Sequence, residues 1–77
     1  MKDLLRQFIL TELIRDASYP LLDDESLFAD GLIDSFSLVQ VGIFVEEQFG
    51  VHLDDVELTV ENMDTIDKMV AYIQNKQ

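Results

Sequence analysis

Seventy-seven residues with 16 Asp and Glu, five Lys and Arg, one His and no Cys give a formal net charge of −11. That charge repels nucleic acid and anionic lipid and attracts basic protein surfaces. The absent cysteine and the lone histidine exclude a disulfide framework and a thiolate or histidine-rich metal site.

A chain this short buries only about 60% of the surface its unfolded form exposes, so its core is thin. Residues 1–77 therefore read as one domain, with hydrophobic residues at 48% of the chain, too many for a disordered acidic tail.

Residues 3–15 form the first predicted helix, with Leu5, Phe8, Ile9 and Leu13 on one face. Leu10 and Ile14 fall off that face, so the pattern is broad and leaves the rotation of the helix open. Asp3 near its start and Arg15 near its end suit the helix dipole. Arg6, Gln7 and Glu12 break the apolar N-terminus and no small-residue cleavage site follows, which argues against a signal peptide. No segment approaches the ~18 apolar residues of a membrane span, so a cytoplasmic protein is expected.

From Asp16 to Asp34 the periodicity fails, starting where Pro20 biases the chain out of helix. Leu21, Leu22, Leu27, Phe28, Leu32 and Ile33 recur among polar residues, which predicts a long loop with its own anchors crossing the bundle. Asp24-Glu25-Ser26 suits a turn and Gly31 a position of unusual backbone angle. Asp23, Asp24, Glu25 and Asp30 lack the alternating ligand spacing of a calcium loop, so no metal is expected.

The second helix is predicted over Ser35–Phe49, stopped by Gly50. Leu38, Val41, Val45 and Phe49 make an ordinary core stripe. A second stripe, Phe36, Val39 and Ile43, lies roughly opposite, bordered by Gln40, Glu46 and Glu47. Either this helix is the most buried of the bundle, or the second stripe is left exposed for a partner. No Lys or Arg occurs between Arg15 and Lys68, which favours steering towards a basic partner. Gly42 costs a helix up to ~1 kcal/mol relative to Ala, and its place near Val41 suggests close approach by another helix.

Val51-His52-Leu53 reads as an extended link, followed by a short helical turn from Asp54 and Asp55 to about Leu58, anchored by Val56 and Leu58. Residues 59–63 read as a connection and Asp64 as the N-cap of a last helix over 65–75. That helix has the cleanest spacing, with Ile66, Met69, Val70 and Ile73 on its core face and Tyr72 beside them. The expected fold is all-α: a four-helix bundle with three longer helices, a short third helix, and a long loop between helices one and two.

Catalysis finds no support in these residues. A triad of Ser35, His52 and an aspartate would need an oxyanion hole and a cleft, for which a 77-residue bundle has little room. Adjacent carboxylates such as Glu46-Glu47 and Asp54-Asp55 point to different sides and form no acid–base dyad. Ser35 has two readings. It is placed as an N-cap, and it also stands at a helix mouth where an attached phosphate would meet the positive end of the dipole.

The run Gly31-Leu32-Ile33-Asp34-Ser35-Phe36 resembles the attachment motif of acyl carrier proteins, in which an Asp-Ser pair followed by a large apolar residue opens helix two. The resemblance extends over the chain, through the loop before the serine, Glu46-Glu47-Gln48-Phe49 at the end of helix two, the short third helix and the final Ala71-Tyr72-Ile73. It implies the four-helix fold of that family and a non-enzymatic, monomeric carrier. Ser35 would hold 4′-phosphopantetheine through a phosphodiester, with acyl groups as thioesters on its thiol. Asp34 would assist a phosphopantetheinyl transferase and its magnesium. Phe36, Val39, Gln40, Ile43, Glu46 and Glu47 would form the face read by loading enzymes and downstream transferases or synthases with basic docking surfaces.

Phe36, Gln40 and Leu32-Ile33 depart from the fatty-acid-synthesis pattern. The Gly-Leu-Ile-Asp-Ser form is similar to stand-alone carriers of specialised pathways, including aminoacyl and D-alanyl carriers. The rival reading from the residues alone is an acidic interaction module without a prosthetic group.

Overall fold

Helical spacing without Gly or Pro builds the first element, and the computed structural model, which describes residues 1–77, begins with α1 over Lys2–Phe8. The chain continues through a π-wound segment, Ile9–Ile14, and a long loop into α2, Ser35–Phe49. A 3-10 turn, Asp55–Glu57, then precedes α3, Val60–Met63, and α4, Ile66–Lys76. There is no strand, and the all-α arrangement with a long loop before α2 matches the sequence expectation.

The change of pitch at Ile9 accounts for the broad pattern of the first helix. In a π segment the backbone bonds skip five residues, so side chains four and five apart share a side. Ile9 is fully buried, while Leu10, Leu13 and Ile14 all pack half-buried on the core. Arg15 ends the segment in the left-handed region at φ 62, with its amide donating to the Leu10 carbonyl. Lys2 pairs with Asp23 and Asp67, and Arg6 with Asp23, tying α1 to the loop and to α4.

One core of 14 buried hydrophobic residues draws on the first helical stretch, the loop, α2, the link after it, α3 and α4. The loop contributes Leu21, Leu27 and Ile33, so its apolar residues are anchors as expected. Leu27 is the deepest: its amide donates to the Asp64 carbonyl at 2.8 Å, and its carbonyl accepts from the Leu32 and Ile33 amides at 2.9 and 3.2 Å. Met63, Ile66, Met69 and Ile73 close the core from the other side, all with no exposed surface.

Four local expectations are corrected. Residues 59–63 are not a plain connection but mostly the single turn of α3, with Thr59 as its N-cap accepting from the Asn62 amide at 3.2 Å. One turn is too short for periodicity to reveal. Asp64 does not cap the last helix. Its carboxylate accepts from the Ser26 hydroxyl at 2.8 and 2.9 Å and from the Phe28 amide at 3.2 Å. Thr65 takes the cap, accepting from the Lys68 amide at 3.0 Å.

Val56 is no anchor, being 83% exposed. A three-residue turn directs few side chains inward, and here Glu57 is held against α4 by Lys76 at 2.7 Å and Tyr72 at 2.8 Å. The neighbour of Gly42 is also not a long helix. A Cβ at Gly42 would meet Leu58, the residue that ends the 3-10 turn, at 3.1 Å.

Candidate attachment site and docking face

Ile33 is buried on one side of the Asp34-Ser35 pair and Leu38 on the other, which pins the pair at the surface where the loop enters α2. Gly31, at φ +72, turns the chain towards it. Asp34 is the N-cap: its backbone is extended and its Oδ1 accepts from the Ser37 amide at 3.1 Å. The Ser37 hydroxyl also donates to that oxygen at 3.3 Å. Ser35 is therefore not the cap. It is the first residue of α2, exposed, and its hydroxyl makes no hydrogen bond within the chain.

The two-striped helix resolves in favour of an exposed second stripe. Leu38, Val41 and Val45 are buried, whereas Phe36, Val39 and Ile43 are 81, 54 and 55% exposed. Gln40, Glu46 and Glu47 are exposed beside them. Positions 36, 39, 40, 43, 46 and 47 recur at helical spacing, so the structure brings these six residues onto one side of α2.

Residues outside that helix join the face. A cleft of about 130 Å³ runs between α2 and the 3-10 turn, lined by Val39, Gly42, Ile43, Glu46, His52, Leu53, Asp55 and Leu58. Exposed Val56 sits on the same turn. Sequence reading missed Val56 as a surface residue, although a lone apolar residue in the acidic run Asp54-Asp55-Val56-Glu57 was a signal for it. Phe44 lies away from this cleft, stacked on Phe8 with ring centroids 4.2 Å apart and edge-on to Phe49 at 6.0 Å.

Ser35 and His52 do not form a catalytic pair. His52 lies beyond the C-terminal end of α2, and the helix between them spans about 20 Å at ~1.5 Å per residue. The exposed imidazole instead contacts Glu46 and Asp54, at 2.5 and 2.8 Å. Its pKa is raised above 6.5 first by the Glu46 hydrogen bond and next by that of Asp54. Glu57 is pulled the other way, down to about 2, chiefly by Lys76 and then by the Asp54 amide and Tyr72.

No helix is long and apolar enough to cross a membrane. No family model matches the chain. Among curated proteins it is 41% identical to an acyl carrier protein of Acidothermus cellulolyticus, over 70 residues covering 86% of this chain and 81% of that one. It is 35% identical to a D-alanyl carrier protein of Lactobacillus acidophilus, over 68% of this chain and 66% of that one. Among solved structures, a chain in the crystal structure of an FAD-dependent dehydrogenase matches with a TM-score of 0.76 at 26% identity, over 88% of this chain and 96% of that one.

Proposed function

The chain belongs to the acyl carrier protein family, a family of non-catalytic carriers, and we propose that residues 1–77 act as one carrier domain modified at Ser35. The observation that carries this reading is the free serine hydroxyl. It stands exposed on the first residue of a 15-residue helix, with the capping task taken by Asp34. An N-cap serine would be committed to an amide, and this one is committed to nothing.

The residues present fit a 4′-phosphopantetheine arm. Ser35 offers a hydroxyl with no hydrogen-bond partner in the chain, the helix start favours the phosphate's charge, and Asp34 presents a carboxylate one residue away. When bound, the arm supplies a thiol that holds acyl or aminoacyl groups as thioesters. The protein's own part is address. Phe36, Val39 and Ile43 offer apolar contacts, and Glu46 and Glu47, with Gln40 beside them, offer a polar, acidic rim for grooves lined by Lys and Arg.

The partners would be a phosphopantetheinyl transferase, a loading enzyme and a downstream transferase or synthase, met by a monomeric carrier in the cytoplasm. The structural likeness to a chain crystallised under the name of an FAD-dependent dehydrogenase supports including a flavin dehydrogenase among the enzymes tested on the loaded form.

Co-expression with a phosphopantetheinyl transferase tests the reading. The expected result is the arm's mass on the peptide holding Ser35 and none on Ser35→Ala. A wild-type chain that stays bare, with the transferase active on a control carrier, would refute it and leave an acidic interaction module.

A further inference from the structure

His52 stands at the far end of the face, where the chain leaves α2 for the 3-10 turn. Its ring reaches two elements at once: Nδ1 is 2.5 Å from Glu46 Oε1 on α2, and Nε2 is 2.8 Å from Asp54 Oδ1, the residue that caps the turn. Only the protonated ring has a donor on both nitrogens, so the neutral ring must give up one contact. The three side chains are 69, 57 and 66% exposed. Water is available to each of them, and burial does not force them together.

The surrounding charges leave these two carboxylates to His52. Asp55 and Glu57 lie on the turn, and Lys76 reaches in from α4. Its ammonium is engaged with both Glu57 oxygens at 2.7 Å and with the His52 carbonyl at 2.8 Å. The Tyr72 hydroxyl also goes to Glu57. Glu46 and His52 line the cleft beside Val39 and Ile43, so this cluster is continuous with the apolar anchors of the docking face.

We propose that His52 is a specificity-determining residue of that face, holding from within the chain the place on Glu46 and Asp54 that a partner's Lys or Arg would occupy. The proposal rests on the reading of the face as a docking surface. An enzyme that touches only Phe36, Val39 and the ground near Ser35 never meets the histidine. An enzyme whose basic groups extend to Glu46 must displace it. The displaced imidazole loses the two carboxylates that raised its pKa, returns towards its ordinary value, and passes its proton to solvent. Binding therefore releases protons, and affinity rises with pH through the window from 6.5 up to the raised value of the free chain.

The test uses the full apo chain and a synthetic amphipathic peptide with leucines on one side of a helix and arginines flanking them. Calorimetry at about pH 5.5 and about pH 8 samples both sides of the ordinary histidine pKa. Wild type is expected to bind about threefold or more tightly at the upper pH. Buffers of different ionisation enthalpy should reveal the released proton. His52→Ala should bind at both pH values as tightly as wild type does at the upper one, and Glu46→Gln should lower the pKa of His52 read by NMR.

If His52→Ala keeps the wild-type pH dependence, or binds more weakly than wild type, the proposal is wrong. Ile43→Glu separates the two layers of inference. Loss of peptide binding in Ile43→Glu alongside an unaltered His52→Ala would retain the docking face and discard the role of His52. Peptide affinity indifferent to Ile43→Glu would discard the face itself, and the proposal with it.

Discussion

Asp34 caps α2, and the assistance to attachment proposed for it is a second role that a pair of substitutions can separate from the first. The Ser37 amide is shared between the Asp34 side chain at 3.1 Å and the Asp34 carbonyl at 3.0 Å. Asp34→Ala removes the first contact and leaves the second, which puts the expected loss towards the lower part of the ~0.5–2 kcal/mol range for an N-cap, at about 0.5–1 kcal/mol. For a domain of this size that lowers Tm by roughly 2–8 °C. Asn serves as well as Asp at an N-cap, so Asp34→Asn keeps the acceptor and loses only the charge at the helix start, worth about 0.3–1 kcal/mol when exposed. Thermal unfolding by circular dichroism should rank wild type, Asn and Ala in that order. Both variants should slow transfer of the arm to Ser35, since both lack the carboxylate. Equal stability of wild type and Asp34→Ala would refute the cap, and wild-type transfer rates in a folded Asp34→Asn would refute assistance by the carboxylate.

Ser35→Ala should change stability by no more than about 0.5 kcal/mol, as expected for a surface side chain without a hydrogen bond, while abolishing attachment of the arm. Met63→Ala empties a fully buried site and should cost about 2–5 kcal/mol, a large part of the roughly 4–12 kcal/mol available to a chain of this length. Val56→Ala, on an exposed site, should change urea stability by no more than about 0.5 kcal/mol. Glu57 has its pKa lowered from 4.5 to about 2 by Lys76 and its other partners. A lowered carboxylate stabilises the fold above its unfolded pKa and loses that contribution as pH falls from 4.5 towards 2. Glu57→Gln should therefore flatten the acid limb of the stability curve across that interval, and an unchanged slope in urea titrations would contradict the Lys76 contact.

What the sequence disclosed depended on how many residues encode each feature. The α4 stripe repeats over Ile66, Met69, Val70 and Ile73 and was legible, as was the Leu38-Val41-Val45 stripe of α2. The π segment was visible only as a misfit at Leu10 and Ile14, because periodicity arguments assume one pitch. The α3 turn, at Val60–Met63, offers no second repeat to read. Asp64 failed as a cap for a different reason. Its competing donors, the Ser26 hydroxyl and the Phe28 amide, lie 38 and 36 residues away in sequence, and local spacing carries no record of them. For the candidate site, Asp34-Ser35 was legible as a pair, but the division of labour between them was not. Asp and Ser are equally good caps, and only the backbone geometry assigns the cap to Asp34.

The orientation of α2 follows from its charges more than from its apolar content. Both stripes are hydrophobic enough to bury, and Phe36 offers more area than any residue of the stripe that is buried. Turning the second stripe inward, however, would carry Gln40, Glu46 and Glu47 towards the core. Each carboxylate would lose its water, and the cost is several kcal/mol per ion. Burying a Val, Ile or Phe side chain returns only about 1.5–3 kcal/mol. The acidic rim proposed for docking thus also acts during folding: it makes the wrong rotation of the helix unfavourable, and so keeps Phe36, Val39 and Ile43 outside, beside the serine, where a basic partner would find apolar contact and opposite charge on the same surface.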